Sequence, residues 1–201
     1  MKYDELKALV TGKGFHWFEG ELNLNFIWRR TSDTFTNYFT DFLSIGYTEN
    51  GINQVLEIPC TTKPGLNGAG AILNPPTVNG VTGTDVICGD QQCLGTWQFV
   101  DEPTGKHYPF DKEFFRQIKP INYYRDGQKV LTITSTGAHN SIDGTQWHKM
   151  SNPGAKGFPV NNWSEGCMGA QEPDFISILP LVRRSIAKYG NIFTGTIINN
   201  F

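Results

Sequence analysis

The sequence has few cysteines, little net charge and no long apolar run, and each absence excludes a class of protein. Four cysteines in 201 residues are too few for a disulfide-stapled fold. A formal net charge of −2 provides no basic surface of the kind that binds a nucleic-acid backbone. No segment approaches the roughly 18 consecutive apolar residues of a membrane-spanning helix. We therefore expect neither a nucleic-acid partner nor a membrane span.

The N-terminal segment, MKYDELKALV, lacks the basic region and apolar run of a secretory signal, so we expect no signal peptide. Residues Asp4 to Val10 instead predict a short helix that ends at Gly12 and Gly14. Residues 1–20 would then form an N-terminal helical brace on one catalytic domain that comprises residues 1–201.

The rest of the chain has the pattern of a mainly β protein with a few helices. Short aromatic and β-branched runs alternate with turn residues, which predicts seven or eight strands in a sandwich or barrel-like sheet. The Gly- and Pro-rich stretch from Lys63 to Gly83 predicts a long loop. Near the C-terminus one long helix is expected, capped by Gly190 and kinked or broken at Pro180, before a last strand. The predicted strands are LNFIWRR, YFTDFLSIGYT, NQVLEIPCTT, TDVIC, TWQFV, INYYRD, VLTITST (a hairpin with INYYRD through Asp126-Gly127) and IFTGTII.

Two of the cysteines, Cys88 and Cys93, are separated by GDQQ. They could close a small disulfide or provide half of a metal site. No second Cys or His pair stands at a matching spacing, so two thiols in or beside a turn is the favoured interpretation.

The segment with the most chemical information runs from 136 to 170. It contains His148 and, nineteen positions later, Cys167. A thiol becomes a strong nucleophile as the thiolate, and a neighbouring imidazole both lowers the pKa of the thiol and accepts its proton. Gly166 leaves room for a substrate carbonyl and backbone N–H groups for an oxyanion hole, and Ser164 could orient the imidazole or bind the donor peptide.

Less specific interpretations apply to the same residues. A buried, inert Cys167 is the alternative to a nucleophile, since a cysteine with a histidine elsewhere in the chain is a weak pattern. His139 is a rival base, although the spacing and context favour His148. His16 and His107 have the surroundings of ordinary surface or turn histidines.

Two stretches around these residues resemble the signature of L,D-transpeptidase (YkuD-like) catalytic domains. They are Trp147-His148-Lys149 and, after it, Trp163-Ser164-Glu165-Gly166-Cys167-Met168. It is most similar to a branch of Bacteroidetes and phage proteins that carry Trp-Ser-x-Gly-Cys. The stretches NFIWRR, TTKPGL and NYYRDG occur in the order of that branch, so the resemblance extends from about Asn23 to the end, with only the Trp-Ser-x-Gly-Cys block specific.

The resemblance implies a YkuD-like β-sandwich or barrel domain in which Cys167 attacks the carbonyl after the L-centre of a peptidoglycan stem diamino acid. It also implies that His148 is the general base and that the backbone carbonyl near Lys149 fixes the imidazole tautomer. The N–H groups of Gly166 and Cys167 would form the oxyanion hole. No metal and no organic cofactor is implied.

Two positions depart from the family pattern. Many members have His where this chain has Glu165 and Arg where it has Gly169. The missing Arg removes a carboxylate clamp, and Glu165 could contact a substrate amine or be a solvated loop carboxylate. Tyr124 and Arg125 are further candidates for the substrate cleft, with packing of Tyr123 and Tyr124 as the alternative. Trp163 is a candidate substrate contact that the sequence more readily explains as a packing anchor.

The expected function is acyl transfer on peptidoglycan stem peptides, by an L,D-transpeptidase or by a carboxypeptidase- or endopeptidase-type hydrolase. Phage relatives favour wall degradation, with action at the bacterial cell wall or periplasm from a virion or on release at lysis. The alternative is an inactive structural or cell-wall-binding module of a phage particle, with other virion proteins as partners. A cysteine peptidase acting on protein is a third interpretation.

Overall fold

The structure is a computed structural model that describes residues 1–66, 77–78, 81–101, 112–126, 131–133, 135, 137–150 and 154–200. It confirms the predicted mainly β fold class with one long C-terminal helix. The elements, in chain order, are α1 (Tyr3–Gly12), β1 (Asn25–Arg30), β2 (Asp41–Glu49), β3 (Ile52–Cys60), β4 (Thr77–Val78), β5 (Val81–Thr82), β6 (Thr84–Ile87), β7 (Gln91–Asp101), β8 (Glu113–Gln117), β9 (Ile121–Asp126), β10 (His139–Ser141), β11 (Gln146–Lys149), a 3₁₀ turn (Asn161–Trp163), β12 (Met168–Ala170), α2 (Glu172–Tyr189) and β13 (Ile192–Asn199).

Eight strands form one sheet in the order β12-β11-β8-β7-β13-β1-β2-β3. Its two edges meet where Thr61, just after β3, pairs with Gly169 of β12. The N–H of Thr61 donates to Gly169 O at 2.7 Å, and the N–H of Gly169 donates to Thr61 O at 3.0 Å. The sheet is therefore nearly closed into a barrel, which leaves few unpaired strand edges. Strand β12 lies at the closure.

Aromatic side chains fill the interior of this sheet. Trp147 of β11 is fully buried and has its ring centroid 4.8 Å from those of Phe115 and Phe175. Phe26 and Trp28 of β1 pack against the same indole. Because large rings supply most of the apolar area of a small core, Trp147 fixes the orientation of β11. Since side chains alternate along a strand, its neighbour His148 must face outward.

Helix α1 packs on the outside of the sheet, as the predicted short helix there suggested. Leu6 and Val10 of the helix form a buried cluster with Trp17 and with Ile27 and Ile198 of the sheet. The helix therefore covers the outer face of the sheet at β1 and β13.

Helix α2 runs without interruption from Glu172 to Tyr189, so Pro180 does not break it, and of the two predicted outcomes only a kink stays a prediction. Proline removes one helical hydrogen bond. Here Pro180 is exposed, so water can reach the carbonyl group that has lost its partner, and Leu179 and Leu181 on either side are buried and hold the helix to the core. Gly190 caps the helix at the predicted position, where its N–H donates to Ile186 O at 2.9 Å. Its φ of +83° is positive, but its ψ of 179° lies outside the left-handed helical region that the prediction expected.

A second, three-stranded sheet has the order β10-β9-β6. The prediction that 130–136 pairs with β9 is wrong, because β9 pairs with β10 and β6. Residues 131–133 instead bond to 33–35, with Phe35 N donating to Leu131 O at 2.8 Å. Of the predicted loop from Lys63 to Gly83, residues 67–76 and 79–80 lie outside the described residues, as does Gly127. Within the described ranges, no helix is long and apolar enough to cross a membrane.

Candidate active site

Strand register places His148 and Cys167 on one face of the sheet. Strands β11 and β12 are parallel neighbours, with Trp147 opposite Met168 and His148 opposite Gly169. Trp147 and Met168 are fully buried, so the alternate residues face outward. Cys167 comes one residue before β12, level with Gln146, whose N–H lies 3.5 Å from Cys167 Sγ. The imidazole and the thiol therefore lie on adjacent strands and on the same outer face.

His148 is held in one orientation by the backbone of its neighbour. Its Nδ1 lies 2.6 Å from Lys149 O, which is the contact that the family resemblance implies. A carbonyl oxygen only accepts hydrogen bonds, so in the neutral ring Nδ1 carries the proton and Nε2 is the basic nitrogen. The imidazole is only 4% exposed. The neutral ring therefore has the tautomer that a general base requires.

The turn from Ser164 to Cys167 is closed by the hydroxyl of Ser164. Its Oγ donates to Cys167 O at 2.7 Å and accepts from the N–H of Gly166 at 3.3 Å. Sequence reasoning assigned Ser164 to the imidazole or the donor peptide, whereas these contacts use it to shape the turn. The Gly166 N–H thus has an acceptor inside the turn, and its part in an oxyanion hole stays a prediction together with that of Cys167.

Gly166 has a backbone conformation and surroundings that leave little room for a side chain. Its φ of +133° lies in the region that favours glycine. A Cβ at this position would stand 2.9 Å from the backbone oxygen of Asp85 in β6. The missing side chain therefore allows the small sheet to approach the cysteine turn closely.

The segment Thr61–Gly65 holds the other side of the turn. The N–H of Gly65 donates to Ser164 O at 2.9 Å. Lys63, 1% exposed, forms an ion pair with the fully buried Asp41 across 3.1 Å. Burial lowers the pKa of Lys63, while Asp41 acts in the opposite direction. The stretch TTKPGL thus supports the turn from Ser164 to Cys167 through a buried charge pair, a role that the sequence did not indicate.

We call β11, β12 and the turn 164–167 the seam. Gly169 of the seam stands where many members of the resembling family have Arg. A Cβ at Gly169 would lie 2.5 Å from Met150 Cγ and 2.6 Å from His148 O. No larger residue fits there without displacement of Met150, which explains in physical terms why this chain has no arginine at that position.

A cluster of charged side chains, which sequence reasoning missed as a unit, faces the turn from the small sheet. We call Asp85, Arg125, His139 and Asp143 the charged cluster. Arg125 pairs with Asp85 and lies 3.5 Å from Asp143 Oδ2, and His139 Nε2 lies 2.7 Å from the same oxygen. The residues come from β6, β9 and β10 and the loop after β10, so only the spacing of His139 and Asp143 could have signalled it.

The pKa values of Asp85 and His139 in the charged cluster differ from those of isolated side chains. Burial, together with a hydrogen bond to Asp143, raises the pKa of Asp85 to about 6 despite the opposing effect of Arg125. Burial acts to lower the pKa of His139, but its hydrogen bonds to Gly137 and Asp143 outweigh this and raise it. Both nitrogens of His139 face oxygen acceptors, at 2.9 and 2.7 Å. Oxygen acceptors therefore engage both ring nitrogens of His139.

Asp85, His139 and Asp143 are also the one group within the described residues whose ligand atoms, all within 4.8 Å of one another, could hold a metal ion. Arg125 already supplies positive charge to both carboxylates. We therefore interpret the charged cluster as a network of ion pairs and not as a metal site. The possible half-site at Cys88 and Cys93 consists of two buried free thiols.

The remaining predicted substrate contacts have different surroundings. Glu165 is exposed, and Trp163 and Tyr124 are half-buried, so all three can reach solvent. Arg125 is 3% exposed and belongs to the charged cluster, so it supports the wall of the site and is not presented to solvent. Tyr123 is fully buried and stacks on His139, as the packing alternative predicted.

Comparisons of this chain with protein-family models, with curated proteins and with solved structures returned no match. The resemblance to L,D-transpeptidases therefore depends on the motif residues alone.

Proposed function

We propose that this protein is a cysteine acyl-transfer enzyme, with Cys167 as the nucleophile and His148 as its base. The observation that carries the proposal is the register of β11 and β12, which gives both side chains the same outer face. The contact of His148 Nδ1 with Lys149 O supports it further, since it leaves Nε2 as the basic nitrogen. An inert, buried cysteine would need none of this arrangement.

The proposed reaction proceeds through a thioester. The thiol proton of Cys167 moves to Nε2 of His148, and the sulfur attacks the substrate carbonyl carbon while the carbonyl electrons move to oxygen. Collapse of this intermediate breaks the C–N bond, and the leaving amine takes the proton from the imidazolium. An amine or a water molecule then attacks the thioester, gives a proton to Nε2, and the sulfur leaves and is reprotonated.

The proposed substrate is the stem peptide of peptidoglycan, which rests on the Trp163-Ser164-Glu165-Gly166-Cys167 text. The site of action would be the bacterial cell wall, with a phage-derived lytic role as the biological setting. Whether an amine or water completes the reaction depends on water access to the thioester. Gly169 and the packed Met150 leave no arginine to hold a substrate carboxylate at that position, so the specificity is expected to differ from that of family members that have it.

The decisive experiment incubates purified muropeptides with the wild type, Cys167→Ala and Cys88→Ala, followed by mass spectrometry. We expect the wild type and Cys88→Ala to release a terminal residue, to cleave a cross-link or to form one, and Cys167→Ala to leave the muropeptides unchanged. An unrelated protein in a parallel reaction tests the peptidase alternative. If the wild type and both variants leave the muropeptides intact, the proposal of an enzyme that acts on the cell wall is wrong.

Thiol alkylation shows whether a negative result with muropeptides reflects an unsuitable substrate or an inactive site. Iodoacetamide should modify Cys167 at a lower pH in the wild type than in His148→Gln, with His16→Gln as the control because His16 is an exposed histidine outside the site. Equal reactivity of Cys167 in all three proteins would favour the alternative, an inactive wall-binding module.

A further inference from the structure

An open groove of about 360 Å³ lies on the surface beyond the candidate site. Two exposed aromatic side chains line it, Tyr38 at 64% and Phe158 at 51% exposure. Isolated apolar residues on a surface are ordinary, but aromatic rings that together line one concave groove are typical of a binding site. Pro59 and Gln171 also line it.

The seam connects this groove to the nucleophile. Thr61 pairs with Gly169 in an antiparallel bridge, so the next outward-facing residues are Pro59, two positions before Thr61, and Gln171, two positions after Gly169. Gln171 follows Cys167 by four residues in extended backbone, which spans about 13 Å. The groove and the thiol therefore lie on the same outer face, at a defined separation.

The polar groups of the groove are already paired with one another. Lys156 Nζ lies 2.6 Å from Asp174 Oδ1, and Gln171 Oε1 accepts from the N–H of Gly157 at 3.1 Å. One cation and one anion at the rim leave no net charge for an ionic ligand to neutralise. Aromatic faces beside neutral polar groups suit a ring that is apolar on one face and hydroxylated at its edge, which is the chemistry of a neutral sugar.

We propose that this groove binds the amino-sugar ring from which a peptidoglycan stem begins. The inference rests on the proposed function, because it requires the stem carbonyl to reach Cys167. Three extended residues span about 10–11 Å. With the link from the first stem residue to the sugar added, this length matches the separation between Cys167 and Gln171. Tyr38 and Phe158 then determine whether the enzyme prefers a glycan-linked stem to a free one.

The test compares two substrates that share one stem peptide, one with its disaccharide and one without. We expect Tyr38→Ala with Phe158→Ala to lower kcat/KM about tenfold on the disaccharide-linked stem and to leave kcat/KM on the free stem unchanged. Ile52→Ala is the control, since Ile52 is 63% exposed and does not line the groove. An equal fall on both substrates would overturn the proposal.

A binding measurement keeps this inference separate from the proposed function. Calorimetric titration with the disaccharide alone should give heat with the wild type and Cys167→Ala, and none with the Tyr38→Ala/Phe158→Ala variant. If the disaccharide binds while no stem is turned over, the enzymatic proposal fails and the sugar site stands. If the disaccharide gives no heat with the wild type, the sugar site is wrong whatever the activity.

Discussion

The seam and the charged cluster form two sides of one candidate site, but different forces hold them in place. The seam is fixed by backbone hydrogen bonds and by glycines, with Gly166 and Gly169 at positions where a Cβ would collide with a neighbour. The charged cluster is fixed by ion pairs between partly or fully buried side chains. Backbone pairing does not titrate, whereas ion pairs do. The seam should therefore be sensitive to side-chain volume, and the charged cluster to pH.

The largest effect is expected beneath the seam, at the buried pair of Lys63 and Asp41. Lys63→Met leaves the fully buried carboxylate of Asp41 without its cation. Loss of one partner of a buried pair costs about 3–5 kcal/mol. The free energy of unfolding in urea should fall by this amount. The control is Lys7→Met, which removes an exposed pair with Glu19 and should leave the unfolding midpoint unchanged. Equal effects of the two substitutions would mean that the buried pair does not support the seam.

Gly166→Ala affects both sides of the site, because it adds one methyl group between the seam and the charged cluster. The positive φ and the approach to Asp85 O should together cost about 2–3 kcal/mol in unfolding free energy. Displacement of the turn should lower activity on muropeptides about a hundredfold.

Gly144→Ala is the matched control for Gly166→Ala. Gly144 has φ +77°, and a Cβ there would meet no atom within 4 Å. It should cost about 1 kcal/mol from backbone strain alone, with activity retained. If the two alanines have the same effect, contact with Asp85 plays no part in the site.

More of the seam than of the charged cluster could be predicted from the sequence. Gly166 and Cys167 stand in one short motif, and His148 precedes Cys167 by nineteen positions. Strand alternation then determines which side chains share a face. The charged cluster joins Asp85, Arg125 and His139 from three strands, and the pairing of those strands depends on tertiary contacts. The predicted hairpin of 130–136 with β9 was wrong for the same reason, because tertiary contacts decide the pairing. Residues 131–133 bond to 33–35, and β9 pairs with β10.

A fall in stability between about pH 4 and pH 6 should come from Asp85 of the charged cluster. The folded protein raises the pKa of Asp85 to about 6, so the folded state retains a proton that the unfolded chain releases near pH 4. The resulting stability is full below about pH 4 and is lost as pH rises through 6. Asp85→Asn mimics the protonated carboxyl group and should remove this decline, which is about 3 kcal/mol. Urea unfolding at pH 4, 5, 6 and 7 measures it, and a decline that persists in Asp85→Asn would assign it to another group.

The smallest effect is expected at the far end of the seam, where Glu172 Oε1 accepts from Lys149 Nζ at 2.8 Å. Burial acts to raise the pKa of Glu172, but Lys149 and the N–H of Gly154 outweigh it and lower the value. The contribution to stability is therefore present above the unfolded pKa and is lost as pH falls through the lowered pKa of the folded state. Glu172→Gln should cost about 1 kcal/mol at pH 7 and less at pH 3, in urea unfolding. Glu165→Gln, at an exposed carboxylate in the neighbouring turn, should change neither value. Because the Lys149 carbonyl also orients His148, a loss of activity without loss of stability in Glu172→Gln would mean that this ion pair positions the base and does not stabilise the fold.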